Sequence, residues 1–110
     1  MRIETTILTN LIFDAEYTRK VIPFLKAEYF TDFNEKTIFK TIDKYIEKYK
    51  SPPDLEALTI DIQKVSLNEE QYKTIQEYLT NLSFTAKVEN QWLLDETEKF
   101  CKDKAIYMPS

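Results

Sequence analysis

Glycine is absent from all 110 residues of this chain. Glycine supplies the positive-φ positions of tight hairpins and lets the backbone approach a bound group closely. Without it, neither the P-loop nor the glycine-rich dinucleotide fingerprint can be built, because both cradle phosphate on glycine-containing turns. What remains open is a helical chain with polar caps and proline stops, better suited to holding partners than to catalysis. Histidine is absent as well. That removes the usual general base, the usual zinc ligand and the usual physiological pH switch together. Nucleophilic triads that need an imidazole are excluded on the same ground.

A chain of this length is expected to be a single domain spanning residues 1–110, with one real core. Hydrophobic residues make up 43% of it and aromatics 14%, which places it outside the disordered class. No apolar run approaches the roughly twenty residues a membrane span needs. The start, Met1-Arg2-Ile3-Glu4, lacks the apolar core of a signal peptide. The single cysteine, Cys101, has no partner for an internal disulfide, in keeping with a reducing compartment. The net charge is −4, so the domain as a whole has no general attraction for nucleic-acid phosphates.

Apolar spacing reads as helix throughout. Ile3, Ile7, Leu8, Leu11 and Ile12 step by three and four and predict a helix from about Arg2 to Phe13. Asp14 is placed to cap a second helix, which Pro23 ends or kinks. Asp32, with Glu35 three residues on, resembles a capping box that opens a third helix. Its expected buried side is Ile38, Phe39, Ile42, Tyr45, Ile46 and Tyr49, before the stop at Ser51-Pro52-Pro53. Asp54 opens a fourth helix with Leu55, Leu58, Ile62 and Val65 inward. Asn68 and Gln71 cap a fifth, with Tyr72, Ile75, Leu79 and Leu82 inward. Ser83 to Val88 reads as a connector, and a last helix is expected from about Glu89 to Tyr107. Its expected i, i+4 ion pairs are Asp95 with Lys99 and Glu98 with Lys102. The fold class is all-α, a compact bundle of about six helices with short connections.

Few residues invite a chemical role. Cys101 lies within a predicted helix, has no histidine to activate it, and reads as a structural thiol. The pairs Glu69–Glu70 and Asp95–Glu96 read as solvated surface rather than acid–base or magnesium sites. No catalytic, cofactor-binding or metal residue is therefore assigned. Lys36, Lys40, Lys44 and Lys48 recur every four residues and form a weak candidate basic ridge, for a phosphate backbone or an acidic partner. The plainer reading is the wet side of an amphipathic helix, interleaved with Asp43 and Glu47. Trp92, Phe100, Ile106 and Tyr107 carry apolar character to the end of the last helix and form the candidate protein interface.

The order of these elements is distinctive. It starts with Ile7-Leu8-Thr9-Asn10-Leu11-Ile12-Phe13-Asp14 and continues through Val21-Ile22, Phe24-Leu25 and Glu28-Tyr29-Phe30. Ile38-Phe39 then falls inside a long helix, and Asp54-Leu55-Glu56-Ala57-Leu58 follows a proline stop. In that order and spacing the chain resembles the N-terminal domain of DnaB-like replicative DNA helicases. The late block Trp92-Leu93-Leu94-Asp95-Glu96-Thr97-Glu98-Lys99 is similar to the T-even-type phage version of it.

The resemblance implies a helical head over about residues 1–85 and the first arm of a truncated helical hairpin over about 89–107. In such a family, heads pair through their hairpins into a collar on a hexameric ring, and the collar supports primase binding. Expected partners are thus other helicase subunits and a primase, with single-stranded DNA met only through the full-length ring. ATP and magnesium would belong to a motor domain outside these residues. The place of action would be the cytoplasm of an infected bacterial host. Two alternatives stand beside this: a complete small protein that mimics the helicase head as an adaptor or inhibitor, and a single-stranded DNA module using the lysine ridge.

Overall fold

Short polar side chains set where the helices begin. In the computed structural model, which describes residues 2–82 and 87–107 (the Tyr107 side chain excepted), Asp14 accepts from the Tyr17 amide at 3.1 Å. Asp32 accepts from the Glu35 amide at 3.0 Å and Asp54 from the Ala57 amide at 2.8 Å. Asn68 and Gln71 cap reciprocally, side chain to amide, at 2.7 and 3.1 Å. Glu89 accepts from the Trp92 amide at 2.7 Å. Each such cap satisfies one of the orphan amides of a first turn and stabilises by about 1 kcal/mol.

These caps open α2 (Ala15–Val21), α3 (Phe33–Tyr49), α4 (Leu55–Gln63), α5 (Glu69–Leu82) and α6 (Asn90–Tyr107), after an uncapped α1 (Ile3–Phe13). Two 3₁₀ turns, Ile22–Phe24 and Ala27–Tyr29, lie between α2 and α3. The first is where Pro23 cannot continue the α-helix. Among the described residues none lies in a strand. Among the described residues the expected all-α fold forms, with six α-helices. Without glycine, the C-terminus of α3 closes on Lys50, which takes the left-handed conformation at φ 59° and donates to the Ile46 carbonyl at 2.7 Å. That geometry costs a residue with a Cβ about 1–2 kcal/mol.

Helix α1 is the centre. Six of its side chains, Thr6, Ile7, Leu8, Thr9, Leu11 and Ile12, are buried, because α2, α3 and α6 all pack on it. A helix apolar on most sides has to be enclosed this way. Ile38, Phe39 and Ile42 of α3 meet it, and α4 and α5 add Leu58, Ile62, Ile75, Leu79 and Leu82. Leu93 and Phe100 of α6 join the same cluster. The division between a head and a separate arm therefore does not mark two cores: α6 packs on α1, α2 and the second 3₁₀ turn. Full burial of a large apolar side chain is worth roughly 1.5–3 kcal/mol.

Polar groups buried with this core are held by specific partners. Tyr17 and Thr97 join α2 to α6 through their hydroxyls at 2.7 Å. Glu35 departs from the sequence reading. Its amide is capped by Asp32, but its side chain does not turn back to complete a capping box. It is wholly buried, and accepts from Arg2 at 2.8 Å and from the Tyr78 hydroxyl at 2.6 Å. Tyr78 also sits 3.1 Å from the Thr5 hydroxyl. The cluster ties the start of α1, the start of α3 and the middle of α5 together, an arrangement local sequence rules do not foresee. Two expected core residues also fall outside: Tyr49 is exposed, and Val65 lies past the end of α4 and is partly exposed.

Candidate protein interface

Helix α6 carries all four residues of the expected interface, yet the structure does not bring them together. Trp92 is 46% exposed and Ile106 is 79% exposed. At 1.5 Å per residue they lie about 21 Å apart along the helix. Phe100 is turned roughly 80° away from Trp92 on the helix wheel and is only 6% exposed. Its ring meets Tyr29 edge-on at 6.4 Å and Phe30 at 5.5 Å. The Lys104 ammonium lies over the same ring at 5.7 Å. Phe100 is a core residue and is not available to a partner. The expectation failed because Leu93, Thr97 and Phe100, at steps of four and three, form the inward stripe of α6. The Tyr107 side chain lies outside the described residues.

What α6 offers a partner is a different surface. Leu94 and Cys101, half-buried, form one wall of an apolar notch, and Val21 and Phe24 form the other. The notch holds about 390 Å³. Phe24, two-thirds exposed, stands on the 3₁₀ turn that Pro23 forces after α2. Thr97 touches the notch, but its hydroxyl is already committed to the Leu93 carbonyl at 2.7 Å and to Tyr17. The charged residues of its lining are already paired, Lys102 with Glu98 at 2.7 Å and Lys20 with Glu16 at 3.5 Å. Such a surface has little polar chemistry to offer a small molecule. It suits an apolar side chain from another protein. Sequence reading missed Phe24. The available signal was an apolar residue that breaks helical period directly after a proline.

Cys101 shares this wall. Burial pushes its thiol above the usual range, so the reactive thiolate is scarce at neutral pH and the residue serves as packing. Of the expected acid–lysine pairs, Glu98–Lys102 forms, whereas the Asp95 carboxylate accepts from Gln91 at 2.9 Å. Among the described residues no group of three His, Cys, Asp or Glu is placed to hold a metal ion. No helix among them is long and apolar enough to cross a membrane.

The lysine ridge divides. Lys40, Lys44 and Lys48 line a groove between α3 and the stretch that joins α4 to α5, whereas Lys36 is half-buried and does not. Asp43, on the far flank of α3, has its carboxyl pushed up by burial and by the neighbouring Glu47.

With this helical body in view, comparison with known proteins is informative. The family model described as the DnaB-like helicase N terminal domain matches residues 1–92. The chain belongs to this family. A protein of Enterobacteria phage T4, described as a DnaB-like replicative helicase, is 33% identical over 101 residues, covering 92% of this chain. The chain spans about a fifth of that relative's length, 21%. The DnaB-type match is thus to the N-terminal domain alone. Within the matched residues, Ile7, Leu8 and Leu11, then Ile38 and Phe39, then Leu58 are all buried. These buried positions hold the fold and say little about which outer surface does the work.

Proposed function

We propose that this chain is the assembly and recruitment domain of a phage replicative DNA helicase. It supports the hexameric ring by packing against neighbouring subunits, and it contributes to the surface on which primase is recruited. Single-stranded DNA is then engaged only by the full ring, in the cytoplasm of the infected bacterium. The reading rests on membership of the DnaB-like N-terminal family across most of the chain. It is supported by the apolar Phe24–Leu94–Cys101 notch, whose exposed aromatic gains by being covered. ATP and magnesium belong to a motor outside these residues. The chain's own part is to bind and to orient.

Sedimentation velocity across a concentration series tests the assembly role. The chain should self-associate, and the double variant Phe24→Glu, Leu94→Glu should remain monomeric with its helical circular dichroism intact. Equal masses for the two proteins would remove the notch from the interface. ATP turnover by the chain above background would overturn the division of labour itself.

A further inference from the structure

The lysine-lined groove of α3 lies outside the notch and is not used by the function proposed above. It holds about 670 Å³. Four ammonium groups surround it, from Lys40, Lys44 and Lys48 on α3 and from Lys64 at the end of α4. Among the described residues Asp61 is the one carboxylate in the lining, and it is already paired with Lys64 at 3.4 Å. No ion pair among the described residues engages Lys40, Lys44 or Lys48. Asp43 and Glu47 do not line the groove, although Glu47 lies only about 20° from Lys40 on the helix wheel. Between the charges the wall is apolar: Phe33, Tyr49 and Val65 are each partly exposed there. An acidic domain thus carries one concentrated cationic groove with a greasy floor.

We infer that this groove is a docking site for an acidic, amphipathic helical segment of a partner protein. The lysine spacing supports a helix. Four-residue steps place Lys40, Lys44 and Lys48 about 6 Å apart along α3. A second helix laid alongside, with carboxylates at i, i+4 and i+8, meets them one for one while its apolar side covers the floor. The aliphatic Val65 and Leu67 suit a leucine or phenylalanine anchor. Single-stranded nucleic acid fits less well. Bases need open aromatic faces to stack on. Here Tyr45 and Tyr49 pack against each other at 4.6 Å and the Lys48 ammonium lies over the Tyr49 ring at 5.2 Å, which leaves Phe33 as a single open ring where a strand of stacked bases needs several. The Thr37 and Thr41 hydroxyls are turned back onto their own helix, donating to Phe33 and Thr37 carbonyls at 2.8 Å each. Among the described residues no arginine, asparagine or glutamine lines the groove to read a base edge. A long polyanion also meets the repulsion of the whole domain, net −4. A short acidic helix feels mainly the charges within a Debye length of about 8 Å.

The test uses the whole chain and a fluorescein-labelled helical peptide of about 16 residues. The peptide is built from Glu, Leu and Ala, with Glu at every fourth position. Its controls are a scrambled peptide of equal composition and a deoxythymidine oligomer of about 16 nucleotides. Fluorescence anisotropy should show binding of the patterned peptide that weakens as salt rises from about 50 mM to about 300 mM. The Lys44→Glu, Lys48→Glu variant should bind it roughly tenfold more weakly. The Phe24→Glu, Leu94→Glu variant should bind it as the parent does, which separates this groove from the notch. Three results would overturn the inference: equal binding of the scrambled peptide, tighter binding of the oligonucleotide, or indifference to charge reversal.

Discussion

Truncating Phe100 to alanine separates a core role from a partner-facing one. The side chain is almost wholly enclosed, and its ring contacts run from α6 through Tyr29 and Phe30 to Phe39 of α3, where Phe30 and Phe39 stack at 5.0 Å. Removing a buried phenylalanine costs about 3–5 kcal/mol, because transfer free energy is lost and the cavity only partly collapses. Domains are stable by about 5–15 kcal/mol, so a large share of the total is at stake. With a urea m-value of about 2 kcal/mol/M, a loss of about 4 kcal/mol moves the unfolding midpoint down by about 2 M. Circular dichroism at 222 nm against urea reads this directly. Phe100→Leu, which keeps most of the apolar volume, should cost less than about 1.5 kcal/mol and remain measurable if the alanine variant fails to fold. Ile106→Ala, at a well-exposed position, should stay within about 0.5 kcal/mol of the parent. A midpoint shift below about 0.5 M for Phe100→Ala, together with weakened self-association, would place the ring at a partner surface and refute the reasoning.

Tyr78→Phe removes the hydroxyl that donates to Glu35 at 2.6 Å. Glu35 Oε1 is buried and has no hydrogen-bond partner among the described residues. The variant leaves Arg2 as the carboxylate's remaining side-chain donor and should cost about 1–3 kcal/mol, read as a Tm several degrees lower. Lys50→Gly relieves the left-handed strain at φ 59° and should raise stability by about 0.5–1 kcal/mol after glycine's greater unfolded-state entropy is counted, measured by urea unfolding. Stability should also fall as pH rises above the ordinary tyrosine value of 10.0. Burial raises the Tyr17 and Tyr78 hydroxyls in the folded state, so above that pH the unfolded chain has released protons that the folded chain still holds. Urea titrations on either side of pH 10 should show this loss, reduced in a Tyr17→Phe, Tyr78→Phe variant.

Much of this protein is decided within a few residues. Asp14, Asp32, Asp54 and Asn68 open helices because a short side chain reaches an amide three positions on, a geometry that needs no distant partner. Apolar period assigned the all-α class for the same reason, and the ordered motifs were enough to indicate the family. Period alone, however, does not decide which of two neighbouring apolar residues turns inward. Phe100 is enclosed while Trp92 stays half exposed, because Tyr29 and Phe30 arrive from a 3₁₀ turn some seventy residues earlier in the chain. Glu35 is buried because Arg2 and Tyr78 converge on it from 33 and 43 residues away. Spacing showed three of the groove's lysines as a ridge, but the notch and the groove as enclosed shapes were not visible in one dimension. Each is walled by two separate segments, and its shape exists only once the helices have chosen their neighbours. Local hydrogen bonding and apolar spacing thus determine what each segment becomes. Which surfaces remain uncovered is settled by packing, since exposure is a property of the whole assembly of helices and not of any one of them.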